Sequence, residues 1–249
     1  MKSVGPKKYR LLRKQSKRFK GKQDEHFAGH SIARLTDLGA RYKPLLQQAI
    51  LDGTVTTKQI QVLAQQVYLQ EKWPSHIAHV YLNLTEDALA DRQLVRYVLS
   101  IIQSENLGVG SRGVSHTELA RRFAYSMGVH EKSLNSARPT SANQMLMDWC
   151  DMSALDRPWL ESLAVHIACE SQASTMKAIA RGLQFRYGKS ADDVEFWIIH
   201  GGAVEKRHMT EGLVILGHYI RPDNQYAVEH AYRVSCKFVC EFYDSILEV

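Results

Sequence analysis

The sequence predicts an all-α fold, a single helical bundle of about seven helices, and three observations carry that reading. Past the N-terminal tail, apolar residues recur at helical spacing almost everywhere. No stretch shows the sustained alternation, broken by Gly or Asn-Gly turns, that strands require. The 249 residues, 45% hydrophobic and 23% charged, can bury one substantial core, and neither a low-complexity linker nor an internal repeat divides them. The expected organisation is a basic N-terminal arm over residues 1–28 and a bundle domain over 29–249.

The elements follow from local signals. A first helix is predicted over about 31–52, closed by Asp52-Gly53. A second opens at Thr56-Thr57-Lys58-Gln59, a capping-box pattern, and runs to about Asn83, with Pro74 inside it as an expected kink. A third spans about 86–106 and ends before Gly108-Val109-Gly110, and a fourth runs over about 115–127. Shorter helical segments fill 140–153. A long helix over about 158–186 is closed by Tyr187-Gly188. The next starts at Ser190, a plausible N-cap with acids behind it, and continues to about Tyr219; a last helix covers about 225–247.

The formal charge of +6 invites a nucleic-acid reading until its source is located. Residues 1–22 hold ten Lys or Arg and no acid; removing them leaves 22 bases against 26 acids, so the body is mildly acidic. The arm is expected to be a solvated tail, and no nucleic-acid function follows from it. No run of eighteen apolar residues occurs and no apolar segment follows Met1-Lys2-Ser3, so a protein without a membrane span and located in the cytoplasm is expected. The four cysteines, Cys150, Cys169, Cys236 and Cys240, form no CxxC, which argues against a zinc ribbon or a disulfide framework.

Chemistry concentrates on three predicted helices that set His or Glu among apolar neighbours. The segment from His200 to His208 reads H-x4-E-x2-H, with Glu205 and His208 on one face. His200 stands about 80° away from His208 on an ideal helix. A π-bulge at Gly201-Gly202 would bring it into line. Glu71 and His79 are eight apart around Pro74, and Glu170 sits in an apolar, small-residue stretch where an unpaired charge is expensive. Singly, such residues are more often hydrogen-bonded core groups, and His76, His116, His166 and His218 are read that way. Shared ligand types on three helices point to a metal, and a mixed imidazole and carboxylate set suits iron, in particular a di-iron pair. The neighbouring Tyr68, Trp73 and Trp197 are the candidate substrate-binding aromatics. Cys169, beside Glu170, has no His at a predictable position to activate it as a nucleophile.

These stretches resemble the heme-oxygenase-like superfamily, which also holds thiaminase II, pyrroloquinoline-quinone synthase and the chlamydial death-domain-associating proteins. The resemblance covers about residues 31–247. It rests on the segment Tyr68 to Pro74, on Glu170-Ser171-Gln172 followed by Gly182-Leu183 and Tyr187-Gly188, and on Phe196-Trp197-x-x-His200. Within the superfamily the chain looks most like the di-iron oxidases and oxygenases. That branch holds iron with a Glu and a His on one helix, a Glu on a second, and H-x3-[DE]-x2-H on a third. The resemblance implies Glu71, His79, Glu170, His200, Glu205 and His208 as the ligands. The chain departs from the pattern in having four residues between His200 and Glu205 and Glu in place of the commoner Asp. Variable spacing on the first helix leaves His76 and Glu105 as alternative members.

The resemblance further implies Fe(II), about two per chain, with O2 as co-substrate, and a small amino-acid- or amine-derived metabolite as substrate. It implies a homodimer as well. The alternatives are a metal-independent enzyme of the same fold, of the thiaminase II or pyrroloquinoline-quinone synthase type, and a non-enzymatic helical interaction module. The aminobenzoate-forming relatives consume their own Tyr and Lys, and here Ala180-Arg181 falls near where that Lys is expected.

Overall fold

Glycines, prolines and polar caps cut the predicted long helices into shorter ones. The computed structural model describes residues 25–72 and 76–249. The expected arm lies outside them except for its last four residues, and so do Trp73 and the expected kink at Pro74. The first predicted helix is two, α1 (Glu25–Arg41) and α2 (Leu45–Asp52), because Pro44 cannot continue α1. Gly53 closes α2 in the left-handed conformation at φ 74°, as the Asp-Gly signal predicts.

Next come α3 (Thr57–Lys72) and α4 (His76–Leu82). The capping box at the start of α3 is reciprocal: the Gln59 amide donates to Thr56 Oγ1 at 3.2 Å, and the Thr56 amide donates to Gln59 Oε1 at 2.9 Å. The third predicted helix divides at Asp91 into α5 (Glu86–Ala90) and α6 (Arg92–Leu107), with the Asp91 carboxylate accepting from the Gln93 amide at 2.8 Å. Ser115 caps α7 (His116–Ser126), and α8 (Glu131–Asn135) and α9 (Ser141–Asp156) follow.

Two further long helices are also interrupted. The predicted helix over 158–186 breaks at Ser171-Gln172 into α10 (Trp159–Glu170) and α11 (Ala173–Tyr187). The one over 190–219 begins one turn later than expected, because Ser190 and Asp193 cap each other in a turn that leads into α12 (Glu195–His200). It then breaks at Gly201-Gly202 rather than bulging. Gly202 is extended, at φ −87° and ψ −167°, and α13 (Ala203–Tyr219) starts afresh. α14 (Gln225–Ser245) ends in a short 3-10 turn. No strand occurs among the described residues, so the fold is all-α, with more and shorter helices than the seven expected.

Two large apolar clusters form the core. One gathers α2, α3, α7, α11 and α12 around Leu63, Phe123, Leu183 and Trp197. The other gathers α1, α4, α6, α10 and α13 around Leu35, Ile77, Ile101 and Leu216. α14 contributes to both. α10 is buried nearly all round, with Leu163, Val165 and Ile167 each 0% exposed, and it packs on α14, α13, α9 and α4. Each of those side chains contributes roughly 1.5–3 kcal/mol by burial, so the segment carrying Glu170 is among the most firmly held. A buried amide network fixes α3 against α9: Asn143 Nδ2 donates to Gln66 Oε1 at 2.9 Å, and Gln70 Nε2 donates to Asn143 Oδ1 at 2.7 Å. No helix among the described residues is long and apolar enough to cross a membrane.

Candidate metal centre

Between the two clusters lies a cavity of about 240 Å³, lined by the C-terminal ends of α3, α6, α10 and α12 and by faces of α9, α11, α13 and α14. Helix ends supply most of its polar side chains. Glu71 stands one residue before the end of α3, and Thr117 Oγ1 donates to its carbonyl at 2.6 Å, tying it to the start of α7. The loop after α6 turns back at Gly108, whose φ is 67° and where any Cβ would collide with the Val114 backbone. That turn sets Glu105, near the end of α6, against His116, the first residue of α7. Their Oε2 and Nδ1 atoms are 2.8 Å apart.

His200 ends α12. Its Nδ1–H donates to the Phe196 carbonyl at 2.8 Å; a carbonyl can only accept, so the proton is on Nδ1 and Nε2 is left facing Glu71 Oε1, 3.9 Å away. Gly201 lets the chain turn here, since a Cβ would stand 2.7 Å from the Lys177 backbone nitrogen. Glu205 and His208, three apart in the first two turns of α13, are 2% and 1% exposed, and Nδ1 of His208 is 3.5 Å from Glu205 Oε2. Glu170 on α10 shares a hydrogen bond with Glu205.

Three overlapping groups therefore present ligand atoms within 4.8 Å of one another: Glu71, His116 and His200; Glu105, His116 and Glu205; Glu170, Glu205 and His208. No lysine or arginine is among the described residues lining the cavity. The electrostatic consequence is plain. Burial pushes the carboxyls of Glu71 and Glu105 up to about 7 and that of Glu170 well above the usual range, with neighbouring carboxylates adding to each shift. Burial also works against charge on Glu205, but the Glu170 hydrogen bond and the His208 and His200 rings outweigh it and hold that carboxyl below its ordinary range.

Glu205 Oε1 and His208 Nδ1 are buried with no hydrogen-bond partner among the described residues. Four carboxylates and three imidazoles that need either protons or a cation are a fit for a divalent metal, and the mixed N and O donor set suits iron.

Of the residues expected from sequence, the fold brings together Glu71, Glu170, His200, Glu205 and His208. His79, on α4, belongs to none of the three groups; its Nδ1 is buried with no hydrogen-bond partner among the described residues. Glu105 occupies the cluster as the alternative member, and His116, read from sequence as a core residue, joins two of the groups. The short glycine loop between the third and fourth predicted helices is the signal that makes Glu105 and His116 neighbours.

Tyr68 and Trp197 are not among the described residues lining the cavity. Tyr68 is in the core, and Trp197, 0% exposed, stacks edge-on against Phe123 at 5.4 Å. His76 and His166, also read from sequence as core residues, do line it, with ring centroids 6.1 Å apart. Burial holds both neutral, near pKa 4 and 3.

The chain belongs to the family described as iron-containing redox enzymes, whose pattern matches residues 60–237, and that membership makes it an oxidoreductase. The 4-aminobenzoate synthase of Nitrosomonas europaea is 26% identical over 206 residues, covering 79% of this chain and 81% of that protein. Among solved structures, a protein with a heme oxygenase-like fold from Shewanella denitrificans superposes with a TM-score of 0.70 at 13% identity, over 92% of this chain and 94% of that one. A CADD-like protein from Nostoc punctiforme gives 0.69 at 17% identity, over 89% and 97%. A TenA homologue from Pseudomonas syringae gives 0.68 at 12%, over 89% and 93%. These likenesses establish the heme-oxygenase-like fold.

Proposed function

We propose that the protein is a di-iron oxidase or oxygenase that uses O2 to oxidise a small amino-acid- or amine-derived metabolite. The observation that carries this reading is the buried convergence of Glu71, Glu105, Glu170 and Glu205 with His116, His200 and His208, with no basic side chain among the described residues lining the cavity. Glu71, His116 and His200 would hold one iron. Glu170, Glu205 and His208 would hold the other, with Glu105 between them, in reach of His116 and Glu205. Bound iron supplies the one-electron redox changes and open positions for O2 that the side chains lack.

The chain's own residues prepare that site. The Phe196 carbonyl keeps the His200 proton on Nδ1, which fixes the ring and leaves Nε2 as the donor atom. Glu71 and Glu105, pushed up to about 7 by burial, are partly protonated near neutral pH, and a cation would displace those protons. On the wall beside Glu170, His76 and His166 are neutral. Ser153 Oγ gives its one hydrogen to the Cys150 carbonyl, so it accepts from His76 Nε2–H at 3.0 Å, and the proton of His76 is on Nε2. Nε2 of His166 lies 3.3 Å from Glu170 Oε1, so this neutral ring sits beside the cluster on the cavity wall and adds no charge to it. A cavity of about 240 Å³ suits a small metabolite.

The test is anaerobic Fe(II) titration of metal-free protein, then O2 exposure followed by optical spectroscopy, with His208→Ala as control. Binding near two irons per chain and an absorption change lost in the variant supports the reading. Absence of specific binding returns the chain to the metal-independent enzymes of this fold. The likeness to the Nitrosomonas 4-aminobenzoate synthase makes 4-aminobenzoate the first product to assay.

A further inference from the structure

The cavity carries a second reactive group that the metal cluster does not use. Cys150 on α9 and Cys169 on α10 both line it, both are half-buried rather than sealed, and their thiols are hydrogen-bonded to each other. The other two cysteines are placed differently: Cys236 is 0% exposed, and Cys240 is not among the described residues lining the cavity. Two sulfurs in contact, on adjacent packed helices and open to the same solvent-sized space, have the arrangement of a dithiol able to close to a disulfide.

We propose that Cys150 and Cys169 form a peroxide-reducing dithiol on the wall of the metal cavity. Hydrogen peroxide is the two-electron product of O2 reduction, and a cavity in which O2 is reduced would supply it beside these sulfurs. That source rests on the function proposed above; the thiol chemistry does not. The Cys169 sulfur attacks one peroxide oxygen, breaking the O–O bond and forming a sulfenic acid, and the departing hydroxide takes up the thiol proton as water. Cys150, paired with that sulfur in the reduced protein, then attacks the sulfenic sulfur. The S–S bond forms, and the sulfenic hydroxyl leaves as a second water with the Cys150 proton. Two thiols and one peroxide give one disulfide and two waters. An external dithiol, by exchange, returns the pair to its reduced form.

The experiment uses the full chain, both as purified and after chelation of any metal, treated with one equivalent of hydrogen peroxide. Intact mass and peptide mapping after cleavage at Glu161, which separates the two cysteines, then locate the change. The expected result is one disulfide per peroxide, joining Cys150 to Cys169, with Cys236 and Cys240 still free for alkylation. In Cys150→Ser, Cys169 is trapped by a sulfenic-acid probe; in Cys169→Ser, thiol loss slows by roughly tenfold or more. Retention of both thiols in the wild-type chain, or a disulfide that includes Cys236 or Cys240, overturns the proposal. Because the chelated protein gives the same reading, failure here leaves the iron assignment standing, and failure of iron binding leaves this result interpretable.

Discussion

Glu105 and His116 meet at 2.8 Å across a glycine turn, the last acid of one helix against the first residue of the next. His116 lies 4.4 Å, centroid to centroid, from the His200 ring, so one imidazole links the α6 carboxylate to the α12 ligand. That placement makes His116 a member of two of the three ligand groups, where His79 is a member of none.

The consequence separates the two histidines. His116→Ala is expected to weaken divalent metal binding by at least about tenfold, and His79→Ala by less. Anaerobic titration with Fe(II), or with redox-inert Mn(II), measures both. Equal losses in the two variants would place His79 at the metal after all.

How much of this was legible beforehand depends on chain distance. Glu205 and His208 share a helical face at a spacing of three, and Thr56 to Gln59 spell their own cap, so both are visible in sequence and both form as read. Helix interruptions were harder to read. Ser171-Gln172 carries no proline or glycine to announce the break, and the two halves pack on different partners, α10 on α13 and α14, α11 on α2 and α12. For His116 the glycine loop signals only the contact with Glu105, while its other neighbour, His200, is far along the chain and leaves no local trace. Tyr68 and Trp197 lie in the core cluster, and aromatic character near a motif marks a pocket no better than it marks a core.

Glu71 provides a stability test. Burial, ahead of its neighbours, pushes its carboxyl up to about 7 from 4.5, so the folded state favours the protonated form. A raised carboxyl contributes its stability fully below its unfolded pKa and loses it as pH rises through the folded value. Glu71→Gln mimics the protonated form at every pH. The metal-free variant is therefore expected to match wild type near pH 4 and to exceed it by about 2 kcal/mol near pH 8, a figure set below the full shift because 19% of the side chain stays accessible. Urea unfolding of chelated protein at the two pH values reads this directly. A variant less stable than wild type at the higher pH would mean that the Glu71 carboxylate is already compensated by a charge.

Gly201 tests the helix break. A methyl group there would stand 2.7 Å and 2.8 Å from the backbone nitrogen and Cα of Lys177, and backbone cannot rotate aside. Gly201→Ala is expected to cost about 1–3 kcal/mol and to separate α12 from α11. His200 and Glu205 flank the break, so metal affinity should fall along with stability. Gly202→Ala, facing the Ile199 carbonyl at 2.8 Å, belongs in the same denaturation series.

Proton release on metal binding tests the cluster as a whole. Glu71 and Glu105 are held near 7 and Glu170 well above the usual carboxylate range, in each case chiefly by burial, and a cation binds only their ionised forms. Glu205 is held ionised and has no proton to give. Affinity for Mn(II) or Fe(II) is therefore expected to rise with pH between about 6 and 8, because binding below that range must first expel protons from the carboxyls. Calorimetry at about pH 6.5 in two buffers of different ionisation enthalpy counts those protons, and Glu71→Gln should lower the count by up to one. A count near zero would mean that the carboxylates are already ionised in the empty cavity. Without a lysine or arginine on its described walls, that state leaves Glu170 and Glu205 as two like charges in contact, and their shared hydrogen bond requires that one of them keep its proton.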